Sequence, residues 1–241
     1  MSSAAIEEPD FSLVVLCYRS GRSIIPHIDQ LHQMLSLMRQ SWEIVLVGNY
    51  KEGSQDETPQ IVQELSCRLP NVRALTFPKK GMMGWDMRMG LNEARGKYIG
   101  VIDGDGQFPF ESIFACLFKI EFQDLDMVKT YRVRRGDGLY RSLISRVYNL
   151  VFNLLFSFGE VDVNSKPKII RRDKYRQLDL HSDDWFLDTE LMIRAHEMGF
   201  KIGEVPIHFA ANHDRDSFVT PQSIWEFLVN LLRYRFTTRR R

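Results

Sequence analysis

Tyr98-Ile99-Gly100-Val101-Ile102-Asp103-Gly104-Asp105-Gly106-Gln107 is the stretch whose reading decides this chain. Tyr98 to Ile102 is a short apolar run, as in a buried strand, and it leads directly into Asp103. Two glycines then permit a tight turn, which gathers the carboxylates of Asp103 and Asp105 with the amide oxygen of Gln107. Three hard oxygen ligands suit magnesium or manganese, which take one or two protein carboxylates and leave other positions to water and substrate phosphate. An Asp-Gly pair by itself only makes a turn. A calcium EF-hand is excluded, because its sixth and twelfth positions would fall on Phe108 and Phe114.

Working outward, the same rhythm recurs on the N-terminal side. Phe11 to Cys17 reads as a buried strand that feeds the polar loop Tyr18 to Ser23, and Leu31 to Leu37 suits a helix. Glu43 to Val47 is a second strand, ended by Gly48 and Asn49, and Thr58 to Leu69 has helical spacing. Val72 to Phe77 is a third strand, followed by a helix from Trp85 to Ala94 that Gly96 stops. Strand and helix alternate, so the fold class is α/β, a Rossmann-like parallel sheet with helices on both faces. Such sheets bind ligands beyond the carboxyl ends of their strands, which makes the loops after Cys17, Val47 and Ile102 the candidate site.

Toward the C-terminus the pattern changes. Met127 to Tyr131 reads as a strand, Arg132 to Gly138 as a basic loop and Ser142 to Phe158 as an amphipathic helix. Trp185 to Gly199 is a helix, Ile202 to Phe209 a strand and Pro221 to Phe236 a final helix. The expected organisation is a loose tail over residues 1–10, one domain over 11–220 and a basic amphipathic helix over 221–241. That helix places Ile224, Trp225, Leu228, Leu231 and Leu232 on one stripe, followed by Arg233, Arg235 and Arg239 to Arg241. The pattern suits either an interfacial helix drawn to anionic lipid or a helix packed on the domain with a solvated end.

The chain has 241 residues, 44% of them apolar, enough to bury a real core, and a formal net charge of +1. That balance gives no global attraction for nucleic acid, so an anionic partner must be met by local Lys and Arg clusters. Cys17, Cys67 and Cys116 are odd in number and far apart, which fits a reducing cytoplasm better than a disulfide framework. Residues 1–10 carry no secretory pattern. The longest apolar candidate, Val147 to Phe158, is interrupted by Asn149, Asn153 and Ser157 and is too short to span a bilayer.

The ordered motifs from Phe11 to about Val219 resemble family 2 glycosyltransferases of the GT-A fold. The likeness is strongest to those similar to dolichol-phosphate mannose synthase and to bacterial polyprenyl-phosphate glycosyltransferases. Asp103, Asp105, Gln107, Phe108 and Pro109 look like the family's Asp-x-Asp-x-Gln motif, and Arg88 to Leu91 with Ala94 to Tyr98 like the stretch leading into it. Asp162-Val163-Asn164-Ser165-Lys166-Pro167-Lys168 is similar to a motif of bacterial members, and Asp188-Thr189-Glu190-Leu191 to their acidic helix start. Glu204-Val205-Pro206 and Arg215-Asp216-Ser217 resemble the closing strand and active-site loop. The chain departs from the pattern at Leu16, where the family has Pro, and at Gly48-Asn49, where it carries an acidic pair that reads the base. Met82 and Met83 stand in place of Gly and Lys.

The resemblance implies an inverting, Mg2+- or Mn2+-dependent transfer of a sugar from a uridine or guanosine diphosphate onto a polyprenyl phosphate. It implies that Asp105 and Gln107 hold the metal, with Asp103 sharing that role or orienting the donor. The nucleotide is expected at Cys17, Tyr18, Asn49, Arg88 and Asp103, and the acceptor phosphate at Arg132, Arg141, Ser145 and Arg215. Asn49 suits a uracil edge better than guanine's adjacent donors. A phosphate acceptor needs no strong base. A saccharide hydroxyl acceptor, the alternative, would call on Asp188 or Glu190, which are otherwise ordinary N-terminal helix caps. A catalytically silent nucleotide-sugar scaffold is the remaining reading. The expected location is the cytoplasmic membrane face, with the membrane surface and an integral-membrane protein as partners.

Overall fold

The computed structural model describes residues 8–135, 139–159, 161–210 and 229–236, with backbone alone at 134–135 and 139–141. The first half is a run of strand–helix units: β1 (Phe11–Leu16), α1 (Ile24–Leu35), β2 (Trp42–Val47), α2 (Thr58–Arg68), β3 (Val72–Leu75), α3 (Met83–Glu93) and β4 (Tyr98–Asp103). Then follow α4 (Glu111–Phe122), β5 (Met127–Arg135), α5 (Leu139–Phe156), β6 (Lys168–Arg171), α6 (Arg172–Tyr175), α7 (Leu187–Glu197) and β7 (Ile202–Phe209). One seven-stranded sheet has the order β3-β2-β1-β4-β6-β5-β7. Only β6 runs antiparallel to its neighbours.

Burial explains the apolar runs. Every residue of β1 and β2 is buried, as expected for central parallel strands covered on both faces. On one face α1, α2 and α4 contribute Ile28, Leu31, Val62 and Ile113. On the other, α3, α5 and α7 contribute Met87, Phe152 and Leu191. Helix α3 lies so close to the sheet that a Cβ on Gly90 would stand 2.3 Å from Val14 Cγ1. The one buried carboxylate between β1 and β2, Glu43, is held by Ser12 Oγ at 2.7 Å and Arg73 Nε at 2.8 Å.

Several expectations need correction. Helix α1 begins at Ile24, before the expected Leu31, because Ile24 and Ile28 already face the core. Helix α4 and strand β6 were not expected. In α4 the apolar residues run all round, with Phe118 and Phe122 stacked on the outside, so no stripe marks it. Arg132 to Arg135 continue β5 instead of opening a loop, since β7 pairs with them up to Phe209. The loose tail expected over residues 1–10 gives way at its end. Lys97 N–H donates to Pro9 O at 2.9 Å, Tyr98 N–H to Asp10 O at 3.0 Å, and Asp10 binds Ser41.

Candidate active site

Strand register brings the candidate loops together. Leu16 of β1 lies level with Val47 of β2 on one side and with Asp103 of β4 on the other, so three carboxyl ends are flush. Gly104 N–H donates to Leu16 O at 2.9 Å, fastening the acidic turn to the start of the Tyr18 loop. Gln107 N–H closes the turn on Asp105 Oδ1 at 3.1 Å. Gly106 has φ +71°, and a Cβ there would fall 1.9 Å from His27 Nε2, so the turn requires glycine. Gln107 is buried and its Nε2 donates to Ala210 O at 3.0 Å, which leaves its amide oxygen to accept or coordinate. Asp103, Asp105 and Gln107 therefore fit a hard divalent cation. Among the described residues no group of three His, Cys, Asp or Glu side chains could hold a metal. A cation here relies on these oxygens and on those of a substrate.

Over the loops that follow β1 and β2 is a cleft of about 540 Å³ lined by Tyr18, Arg19, Gly21, Lys51, Gln55 and Asp56. Asp56 Oδ1 receives Thr58 N–H at 3.0 Å, and Thr58 Oγ1 accepts Gly21 N–H at 2.9 Å, tying this loop to the start of α2. Lys79 Nζ lies 4.2 Å from the centre of the Tyr18 ring and pairs with Asp86. Burial pushes the Asp86 carboxyl above its ordinary value, against the pull of Lys79 and Asn49. Tyr18 thus lines the cleft with Lys79 against its ring.

Asn49, Cys17 and Arg88 all have partners inside the protein. Asn49 is fully buried: its Nδ2 donates to Asp86 Oδ1 and its Oδ1 accepts Phe77 N–H, both at 2.8 Å. These bonds tie the end of β2 to Phe77 and Asp86. The Cys17 thiol lies in the core and donates to Val15 O at 3.3 Å. Arg88 holds a loop, donating to Leu180 O at 3.1 Å and pairing with Asp183.

The acceptor residues divide similarly. Arg132 donates through Nε and Nη2, each at 2.7 Å, to Asp162, so its fork is committed inside the protein. Burial opposes ionisation of Asp162, but the hydrogen bonds and charge of Arg132, aided by Lys129, hold its carboxyl below the ordinary value. Ser145 is half-buried on α5. The Arg141 side chain and Arg215 lie outside the described residues, as do 221–228 and 237–241 of the expected C-terminal helix; residues 229–236 are helical.

Asp188 and Glu190, the bases of the alternative reading, are both engaged internally. Asp188 is buried between Lys166 at 2.9 Å and Lys168 at 2.5 Å. Burial disfavours its charge, yet the two lysines hold its carboxyl below the ordinary value. Glu190 accepts His181 N–H at 3.1 Å and Ser182 N–H at 2.8 Å. Neither is a helix cap, since the cap residue is Phe186 with no side-chain bond. Lys166 and Lys168 were given no role from the sequence; their only signal was the motif that contains them.

A mixed sheet with flush strand ends, a cleft over the first loop and an acidic turn on β4 define the GT-A glycosyltransferase fold. The chain belongs to glycosyl transferase family 2, whose model it matches over residues 12–193. It is 25% identical over 215 residues to a dolichyl-phosphate beta-glucosyltransferase of Trichomonas vaginalis, covering 82% of this chain and 63% of the relative. To the dolichyl-phosphate beta-glucosyltransferase of Saccharomyces cerevisiae it is 26% identical over 226 residues, covering 83% and 67%. The chain thus spans just under two thirds of the first relative. In fold it is similar to mannosyl-3-phosphoglycerate synthase of Rubrobacter xylanophilus, with TM-score 0.73, 16% identity and coverage of 96% and 75%. Glucosyl-3-phosphoglycerate synthase of Mycobacterium tuberculosis in complex with UDP gives TM-score 0.70 at 16% identity, covering 94% and 80%.

Proposed function

We propose that this chain transfers a sugar, with inversion, from a uridine diphosphate donor to a polyprenyl phosphate, using Mg2+ or Mn2+. The observation that carries the donor half is the bond from Gly104 N–H to Leu16 O, which fastens the acidic turn to the strand end that leads into the Tyr18 loop. The nucleoside occupies the cleft over that loop with its base against Tyr18, and its diphosphate reaches Asp103, Asp105 and Gln107. A divalent cation held by these oxygens would offset the charge that develops on the leaving diphosphate. Structures of the Mycobacterium tuberculosis enzyme with Mn2+ and UDP-glucose, and with Mg2+ and UDP, support this choice of donor and metal.

The curated relatives, named for dolichyl phosphate, support a lipid phosphate acceptor. So does the engagement of Asp188 and Glu190. A phosphate is already anionic near neutral pH and needs positioning more than a base, whereas a hydroxyl would need one of these two carboxylates. With Arg132 committed to Asp162, the positioning falls to Ser145, Arg141 and Arg215. On α5, Leu143, Val147, Leu150 and Leu154 are all exposed, the last at 74%, and form one apolar stripe. That stripe suits a membrane interface. No helix among the described residues is long and apolar enough to cross a membrane. We place the chain at the cytoplasmic membrane face.

The test is incubation of purified protein with uridine and guanosine diphosphate sugars, a short polyprenyl phosphate and Mn2+ or Mg2+, followed by mass spectrometry of the lipid. A lipid-linked sugar formed from a uridine donor, lost with chelator and lowered about 100-fold or more in Asp105→Ala, is the expected result. Donor hydrolysis without lipid product moves the acceptor to a hydroxyl. No turnover with any donor leaves a silent binding module.

A further inference from the structure

Buried polar atoms that lack a partner gather at the Tyr18 cleft. Among the described residues four such side-chain atoms occur, Ser20 Oγ, Asp56 Oδ2, Arg88 Nε and Asn164 Oδ1. Ser20 and Asp56 line the same cleft, so two of the four face one space. Local bonding holds each of them in place. Ser20 N–H donates to Cys17 O at 3.1 Å and Ser20 O accepts from Ser23 Oγ at 2.7 Å, so only the Ser20 hydroxyl is unused. Arg19 and Gly21, on either side of it, both have φ +53°. For Arg19 that left-handed backbone is a cost, which the bonds of the loop must offset. The two oxygens of Asp56 differ. Oδ1 accepts Thr58 N–H at 3.0 Å and the Thr58 hydroxyl at 2.5 Å, while Oδ2 has no partner among the described residues. Thr58 Oγ1 in turn accepts Gly21 N–H at 2.9 Å, which joins the Ser20 and Asp56 loops into one wall. Buried polar atoms find partners almost everywhere in proteins, so a pair of orphans in one cleft points to a ligand that completes them.

The chemistry of the two atoms narrows that ligand. An ionised carboxylate oxygen only accepts, whereas a hydroxyl donates or accepts. With Oδ1 committed to Thr58, Asp56 offers one acceptor and cannot take two neighbouring donors side by side. Uracil presents a single N–H, at ring position N3, between two carbonyl oxygens. Guanine presents its ring N–H next to an amine, a pair that calls for both oxygens of a carboxylate. Cytosine has an acceptor at N3, which a carboxylate repels. We propose that Asp56 and Ser20 are specificity-determining residues that read the base. Asp56 Oδ2 accepts the uracil N3–H and Ser20 Oγ donates to an adjacent carbonyl, so the cleft selects uracil over guanine and cytosine. This inference rests on the reading of the Tyr18 cleft as the nucleoside site. Asn49, expected at the base from the sequence, is engaged with Asp86 and Phe77.

The test is calorimetric titration of the purified chain, with Mn2+ present, by UDP, CDP, GDP, 2′-deoxy-UDP and N3-methyl-UDP. Wild type is expected to bind UDP about tenfold or more tightly than N3-methyl-UDP, CDP or GDP, since each of these leaves a buried oxygen unmatched. Asp56→Asn retains a carbonyl oxygen for Thr58 and sets an amide N–H where Oδ2 was. It should weaken UDP about tenfold and strengthen CDP, reversing the preference, because cytosine accepts at N3 where uracil donates. A merely structural Asp56 would weaken both nucleotides alike, and that result overturns the inference. Ser20→Ala should weaken UDP about fivefold and leave GDP unchanged. An unchanged UDP affinity in Ser20→Ala overturns the part given to Ser20. If Asp56→Asn does not fold, the comparison of UDP with N3-methyl-UDP in wild type decides alone. Equal binding of those two overturns the inference while leaving the cleft as the nucleoside site, and 2′-deoxy-UDP as the weak ligand would then assign the two atoms to the ribose. A wild type that binds none of these nucleotides overturns the nucleoside-site reading, and this inference with it.

Discussion

Asn49 Nδ2 donates to Asp86 Oδ1 at 2.8 Å, and the same side chain accepts Phe77 N–H at 2.8 Å, so this buried amide is a clasp between the end of β2 and helix α3. The clasp holds the carboxylate that fixes Lys79 over Tyr18. Asn49→Ala should leave a buried N–H unpaired and deprive Asp86 of a donor, lowering stability by about 2–3 kcal/mol. Urea unfolding checks the loss. A parallel UDP titration should show weaker binding, because Tyr18 loses its support.

Arg132 and Asp162 give a pH dependence. The folded-state pKa of Asp162 lies below its unfolded value of 3.8. Its contribution is therefore complete above about pH 4 and is lost as pH falls through the folded pKa. Removing one partner strands a buried charge, so Arg132→Ala should cost about 3–5 kcal/mol at neutral pH. Urea midpoints between pH 7 and pH 2 should show Asp162→Asn to be less stable than wild type at neutral pH, with a shallower loss in acid. Identical acid profiles would remove Asp162 from the account.

Glu190 separates a structural carboxylate from a catalytic base. It accepts the N–H groups of His181 and Ser182, so Glu190→Gln should destabilise the fold by about 1–3 kcal/mol. Transfer to lipid phosphate should persist within about tenfold, since no base is required of it. A loss of turnover by about 100-fold or more with stability unchanged would restore the hydroxyl-acceptor reading.

The apolar stripe on α5 can be tested without touching the core. Leu150 is 59% exposed, so Leu150→Glu should change stability by less than about 0.5 kcal/mol. Burying a leucine side chain stabilises by about 1.5–3 kcal/mol, so sedimentation with polyprenyl phosphate vesicles should fall about tenfold or more. Unchanged sedimentation would assign the stripe to another partner.

The fold was legible where period and length are strong. The runs at Phe11, Glu43 and Tyr98 became β1, β2 and β4 within a residue or so, because strands covered on both faces must be continuously apolar. Lys168–Arg171 was not legible as a strand. Lys168 is 2% exposed, and nothing in its immediate sequence shows that Asp188 receives its charge. The basic stretch after Tyr131 misled for the same reason, since Asp162 takes the charge of Arg132.

The sequence by itself determined the strand–helix alternation, the acidic turn at the end of β4 and the family, because each depends on residues adjacent in the chain or repeated at a fixed period. Only the tertiary structure decided which polar side chains remain to meet a ligand. Asn49 with Asp86, Arg132 with Asp162 and Lys166 with Asp103 are partners distant in sequence. A buried polar group must find its partner wherever strand order and register deliver one. Pairing of that kind is a property of the assembled sheet, and no local pattern encodes it.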